Sequence, residues 1–95
     1  MDRDLIRQTI LAKVRQRGLD KTICPSEVAR ALGGEDWRSL METVRSVGVE
    51  LVQAGKIQIM QKGNVVNPNT VKGAIRFRVT QQGLKEQGLK ASEPD

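Results

Sequence analysis

Three amphipathic helical segments followed by an abrupt switch to period-two alternation predict an α+β chain of the winged helix-turn-helix type, three helices and then a two-stranded β-hairpin wing. Two further observations support this order. Glycines punctuate each helix end, and the β-inclined stretch Thr22-Ile23-Cys24 offers a short third strand between the first two helices. With 95 residues the chain has the size of one ordinary domain. Residues 1–80 are read as that domain, and 81–95 as a C-terminal extension, in part disordered or a short helix.

The first helix is predicted over Asp2 to Arg17, where Ile6, Ile10 and Val14 recur four apart with Leu5 and Leu11 at the flanks. Gly18 follows as its stop. Pro25 suits the first turn of a second, brief helix to Leu32, with Glu27 near the positive end of its dipole and Val28 and Leu32 facing inward. Gly33-Gly34 ends it, and Asp36 is placed to cap a third helix carrying Trp37, Leu40, Met41, Val44, Leu51 and Val52 up to Gly55. Gly48 lies on the apolar stripe of that helix, where close packing against another helix explains it.

Beyond Gly55 the period becomes two. Ile57 and Ile59 alternate with Gln58 and Met60, and Ile75, Phe77 and Val79 alternate with Arg76, Arg78 and Thr80. Turn chemistry at Lys62-Gly63-Asn64 and Asn67-Pro68-Asn69 predicts a connecting loop of about ten residues, the wing, rather than a tight turn. Thr80-Gln81-Gln82-Gly83-Leu84 resembles the strand-to-helix exit of many winged-helix regulators, with Thr80 as the N-cap. Gly83, Gly88 and Pro94 discourage a long C-terminal arm, so a monomer is expected.

Composition narrows the function. The chain has no histidine and one cysteine, Cys24. Imidazole-dependent nucleophilic catalysis and the usual zinc sites therefore have no ligands or base, and no glycine-rich phosphate loop is present. Gly33-Gly34-Glu35-Asp36 resembles the start of the cyclic-dinucleotide synthase signature, but that domain is far longer and built on a βαβ frame. Glu27, Glu35, Asp36, Glu42 and Glu50 read as solvated helix-surface charges rather than as a carboxylate catalyst or magnesium site. No enzymatic activity and no cofactor are expected. Acidic residues follow Met1 where a signal peptide is basic, and no apolar run approaches a membrane span, so a cytoplasmic protein without membrane contact is expected. Cys24, alone at a helix start, reads as a half-buried small hydrophobe.

Three segments carry a family resemblance: Ile23-Cys24-Pro25-Ser26-Glu27-Val28-Ala29-Arg30, Trp37-Arg38 and Gly73-Ala74-Ile75-Arg76-Phe77-Arg78. Together they resemble the signature of a small bacterial family, domain of unknown function 3253, over roughly residues 3–80. The resemblance implies a winged-helix-like fold and brings no established activity, substrate or binding residue. The family pattern favours Gly-Pro before the Ile-Arg of the final strand, and Ala74 departs from it with another residue that fits a strand start.

Charge placement points to a ligand. The net charge is +5, but residues 25–55 carry three basic and five acidic groups, whereas 56–80 carry five basic groups and no acidic one. Lys62, Asn64, Lys72, Arg76 and Arg78 thus form a candidate phosphate-tracking wing, and Arg38, Ser39 and Arg45 a thin recognition surface on the third helix. The acidic residues of that helix oppose the assignment, although Asp36 serves as a cap and Glu42 has Arg38 and Arg45 at pairing distance along the helix. Trp37 and Phe77, the only aromatic residues, are expected in the core rather than stacked on bases. Two partners follow from this: duplex DNA bound through the basic hairpin, or an acidic protein met by the same surface.

Overall fold

A computed structural model of the chain describes residues 2–85. It is α+β, with helices α1 (Arg3–Arg17), α2 (Pro25–Gly33) and α3 (Trp37–Gln53) packed on a three-stranded antiparallel sheet in a winged-helix-like arrangement. Each helix starts and stops for a local reason. Asp2 caps α1 by accepting from the Asp4 amide at 3.0 Å, and Gly18, at φ 97°, ends it. Pro25 opens α2, where Glu27 reaches back to accept from the Cys24 amide at 3.0 Å. A 3-10 turn, Gly34–Asp36, then bends the chain into α3.

Asp36 occupies the N-cap position of α3, but its side chain makes no capping bond, contrary to expectation. With φ −94° and ψ 18° its backbone is not in the extended conformation that aims a carboxylate at the first-turn amides. The Ser39 hydroxyl donates back to the Asp36 carbonyl at 2.8 Å, and the first-turn amides have no side-chain acceptor from Asp36.

The sheet order is β2-β1-β3, built from β1 (Ile57–Gln61), β2 (Asn64–Val65) and β3 (Arg76–Val79). β1 pairs with β3 in the register Ile57 to Val79, Ile59 to Phe77 and Met60 to Arg76. On the far side of β3, Ile23 and Phe77 exchange two backbone hydrogen bonds of 2.9 Å, the one bridge made by the expected short strand. The expected wing loop of about ten residues is corrected here. β1 turns directly into β2 through Lys62-Gly63, both at positive φ (54° and 82°), and only the stretch from Val66 to Ile75 is irregular. Positive φ at both turn positions matches the right-handed twist of the flanking strands, so the short turn wins over the open loop.

Ile57, Ile59, Phe77 and Val79 on the inner face of the sheet meet Ile6, Ile10 and Val14 of α1, Val28 and Ala29 of α2, and Val44, Val47 and Leu51 of α3 in one core. Burial of each large apolar side chain contributes about 1.5–3 kcal/mol. Four details differ from the sequence expectation. Leu5 is 42% exposed rather than flanking the core. Gly48 packs against the Phe77 ring of the sheet, not against another helix. Trp37 is half-buried at the core margin, with the guanidinium of Arg30 4.3 Å and that of Arg38 4.5 Å from its ring centre. Met60, an outward position by strand parity, is buried.

After β3, residues 81–85 are helical, and Thr80 caps them by accepting from the Gly83 amide at 3.0 Å, as the exit motif predicts. The expected extension beyond residue 85 lies outside the described residues.

Candidate nucleic-acid interface

The basic residues of the wing gather around one cleft. Lys62 stands at the exposed β1-β2 turn, Lys72 is exposed on the returning loop, and Arg76 is exposed on β3. All three line a cleft of about 480 Å³, and no carboxylate lines it with them. The loop is held in place by backbone acceptors. Gln61 donates from Nε2 to the carbonyls of Lys72 at 2.7 Å and Ala74 at 3.1 Å, and Arg45 donates from Nη1 to the Gly73 carbonyl at 3.1 Å.

That last bond joins the two halves of the predicted site. Arg38, Glu42 and Arg45 lie at helical spacing along α3, so Arg45 connects their stripe to the loop bearing Lys72. Ser39 is also exposed on α3, with its hydroxyl turned back to Asp36. Asn64, exposed in β2, donates from Nδ2 to the Lys62 carbonyl at 3.4 Å and so supports the turn rather than projecting freely. Arg76 is fixed by Thr22, donating from Nε to its hydroxyl at 2.5 Å and from Nη2 to its carbonyl at 3.4 Å.

Arg78 departs from the rest. It is half-buried and gives Nε and Nη2 to Gln58 Oε1 at 3.3 and 2.7 Å, and it lines a separate, smaller hollow with Leu19 and Thr80. Being i+2 on one strand puts Arg76 and Arg78 on the same outer face, but their guanidinium groups serve different neighbours.

The acidic residues of α3 have mixed fates. Glu50 is taken up by α1, accepting from Arg3 at 2.5 Å and Arg7 at 3.0 Å, and these hydrogen bonds hold its carboxyl below the ordinary range. Glu27 is likewise lowered, first by the Cys24 amide and then by the Arg17 guanidinium at 2.7 Å. The expected pairing of Glu42 with Arg38 or Arg45 is not made. Among the described residues Glu42 has no ion-pair partner, because Arg38 stacks on Trp37 and Arg45 bonds the wing loop.

Sequence reasoning missed Gln61 and Thr22, the two residues that fix the cleft. Their partners lie 11 to 54 positions away, and a neutral polar side chain in a strand-like stretch gives no local sign of such a bond. Cys24 lies at the cleft too, half-buried, with the Ser26 hydroxyl donating to its sulfur at 3.1 Å.

Against known protein families, residues 3–80 match the model described as Protein of unknown function (DUF3253). The chain belongs to that family. The match covers all three helices and the whole sheet, so the DUF3253 domain and the folded unit described above coincide. No curated protein matches the chain. Among the described residues, no helix is long and apolar enough to cross a membrane.

Proposed function

We propose that this DUF3253 chain is a monomeric cytoplasmic module that binds duplex DNA and catalyses no reaction of its own. One observation carries the reading: Lys62, Lys72 and Arg76 surround a single face without a lining carboxylate, and Arg45 makes that face continuous with the exposed stripe of α3. Cations grouped on one face without opposing acids suit an anionic backbone such as that of DNA.

Lys62 adds support. It is the only non-glycine residue at positive φ among those described, a conformation that favours Asn or Gly. A lysine kept there puts charge at the wing tip at some conformational expense.

The test is a titration of the full chain with a labelled generic duplex over a range of salt. Three phosphate contacts predict a slope of log affinity against log salt of about −3, and Lys62→Ala should flatten it by about one. Lys62 is the cleaner choice because removing Arg76 also releases Thr22. A slope near zero would sink the proposal.

Glu42 favours a second reading. An exposed carboxylate without a partner beside Arg38 and Arg45 repels phosphate but suits a mixed-charge protein surface. On that reading the chain ignores duplex DNA at low salt and captures a protein whose acids meet the wing and whose basic group pairs with Glu42, so that Glu42→Gln weakens capture instead of strengthening DNA binding.

A further inference from the structure

Met60 breaks the division that the rest of the sheet obeys. Strand parity turns Ile57 and Ile59 inward and Gln58 outward, so Met60 belongs to the outer face with Gln58. Yet Met60 is only 5% exposed, and it lies outside the main core cluster. Its thioether lies outside the cluster that joins the three helices. It lines the cleft with Ile75 and Cys24, but Met60 and Ile75 are only 5% and 4% exposed, so the apolar surface open to a ligand is mainly that of the exposed Ala74 and the lysine stems.

The remainder of the cleft is cationic. Lys62, Lys72 and Arg76 line it and no acidic residue does; the Glu27 carboxylate, engaged by Arg17 and the Cys24 amide, also attracts Arg76 through space. Arg76 gives Nε and Nη2 to Thr22, which sets the guanidinium plane and leaves Nη1 available. Both walls are already fixed, by Gln61 to the carbonyls of Lys72 and Ala74 and by Arg45 to that of Gly73. A ligand therefore meets a formed site and loses little affinity to ordering the loop.

A volume of about 480 Å³ falls within the range of small-molecule sites. An inorganic anion would leave the apolar surface in water, and an uncharged apolar molecule would leave the ammonium groups of Lys62 and Lys72 unmatched. We propose that the cleft between the β1-β2 turn and the 72–76 segment binds a small organic anion, its acidic group held by Lys62, Lys72 and Arg76 and its apolar body lying against Ala74 and the margins of Met60 and Ile75. Binding of this anion does not depend on the DNA reading. If duplex DNA uses the same cations, the two ligands exclude one another, and only that consequence rests on it.

The probe is 8-anilinonaphthalene-1-sulfonate, an aromatic sulfonate whose fluorescence rises in apolar surroundings, titrated into the full chain without DNA. The expected result is saturable one-to-one binding that weakens with salt. Lys72→Glu should weaken it at least fivefold, whereas Lys13→Glu, the same charge change on α1, should leave it within twofold. Both lysine side chains lie outside the core, and it is the Lys72 carbonyl, not its side chain, that Gln61 holds, so the fold should survive either change. Non-saturating binding, unchanged binding in Lys72→Glu, or an equal loss in both variants overturns the proposal. Because DNA is absent, such a failure leaves the salt-slope test of DNA binding untouched.

Discussion

Replacing Gly48 with alanine sets a gain in helix propensity against a steric conflict, and the geometry decides which wins. Alanine inside a helix is favoured over glycine by about 1 kcal/mol. At Gly48, however, a Cβ would lie 2.6 Å from Cζ and 2.7 Å from Cε1 of Phe77. The ring has nowhere simple to go. Phe77 is fully buried, and its backbone is bonded on one side to Ile23 and paired on the other with Ile59. Overpacking of this kind costs about 1–3 kcal/mol, and the rigid surroundings favour the upper part of that range. The net expectation for Gly48→Ala is a loss of about 1–2 kcal/mol, or a fall in Tm of roughly 5–15 °C for a domain of this size. Urea and thermal unfolding followed by circular dichroism measure both. Phe77→Leu removes the ring atoms that the new methyl would meet, so the double variant should be more stable than the sum of the single losses predicts, by at least about 1 kcal/mol. A Gly48→Ala protein as stable as the parent, or strictly additive losses, would refute the close approach of α3 to β3.

Two other expectations follow from local geometry. Lys62→Asn places a residue suited to positive φ before Gly63 and should raise stability by about 0.5–1 kcal/mol in the same unfolding assay, while weakening DNA binding as Lys62→Ala does. Acid should destabilise the fold through Glu27 and Glu50, whose carboxyl groups are held below their ordinary value of 4.5 by the Cys24 amide and Arg17 and by Arg3 and Arg7. Stability from a lowered carboxyl is fully present above its unfolded value and is lost as pH falls through the folded one, so Tm should decline as pH falls below the ordinary carboxyl value of 4.5. Glu27→Gln should make that decline shallower.

The elements were legible where the pattern is regional and hidden where it depends on distant partners. Ile6, Ile10 and Val14 repeat at helical spacing, and Ile57, Ile59, Phe77 and Val79 repeat at two, so helices and strands follow from periodicity alone. The two-residue turn was obscured because Lys62-Gly63 carries a lysine where Asn or Asp announces such a turn, and the second turn at Asn67-Pro68-Asn69 drew the loop longer. Of the site, the absence of acids from 56–80 was visible as charge. The separation of Arg78 from Arg76 was not, because it is decided by Gln58 and Thr22, and the latter stands 54 positions from its partner.

On the proposed DNA reading, the same bonds limit how the surface engages a duplex. Arg38 must leave Trp37 to reach a base edge, giving up about 0.5–1 kcal/mol of cation-π attraction, and Arg45 must release the Gly73 carbonyl at a loss of about 0.5–1.5 kcal/mol. Releasing Arg45 also removes one fastening of the loop that carries Lys72, leaving those from Gln61. Lys62 and Lys72 face no such exchange, since both are exposed and phosphate contact requires no internal bond to break. A bidentate base contact is worth about 1–3 kcal/mol, so up to about half of what α3 would gain by reading sequence is lost in detaching its arginines. Glu42, without an ion-pair partner on the same stripe, subtracts further. If this surface binds DNA, its affinity should come chiefly from the wing, and discrimination between sequences should be slight.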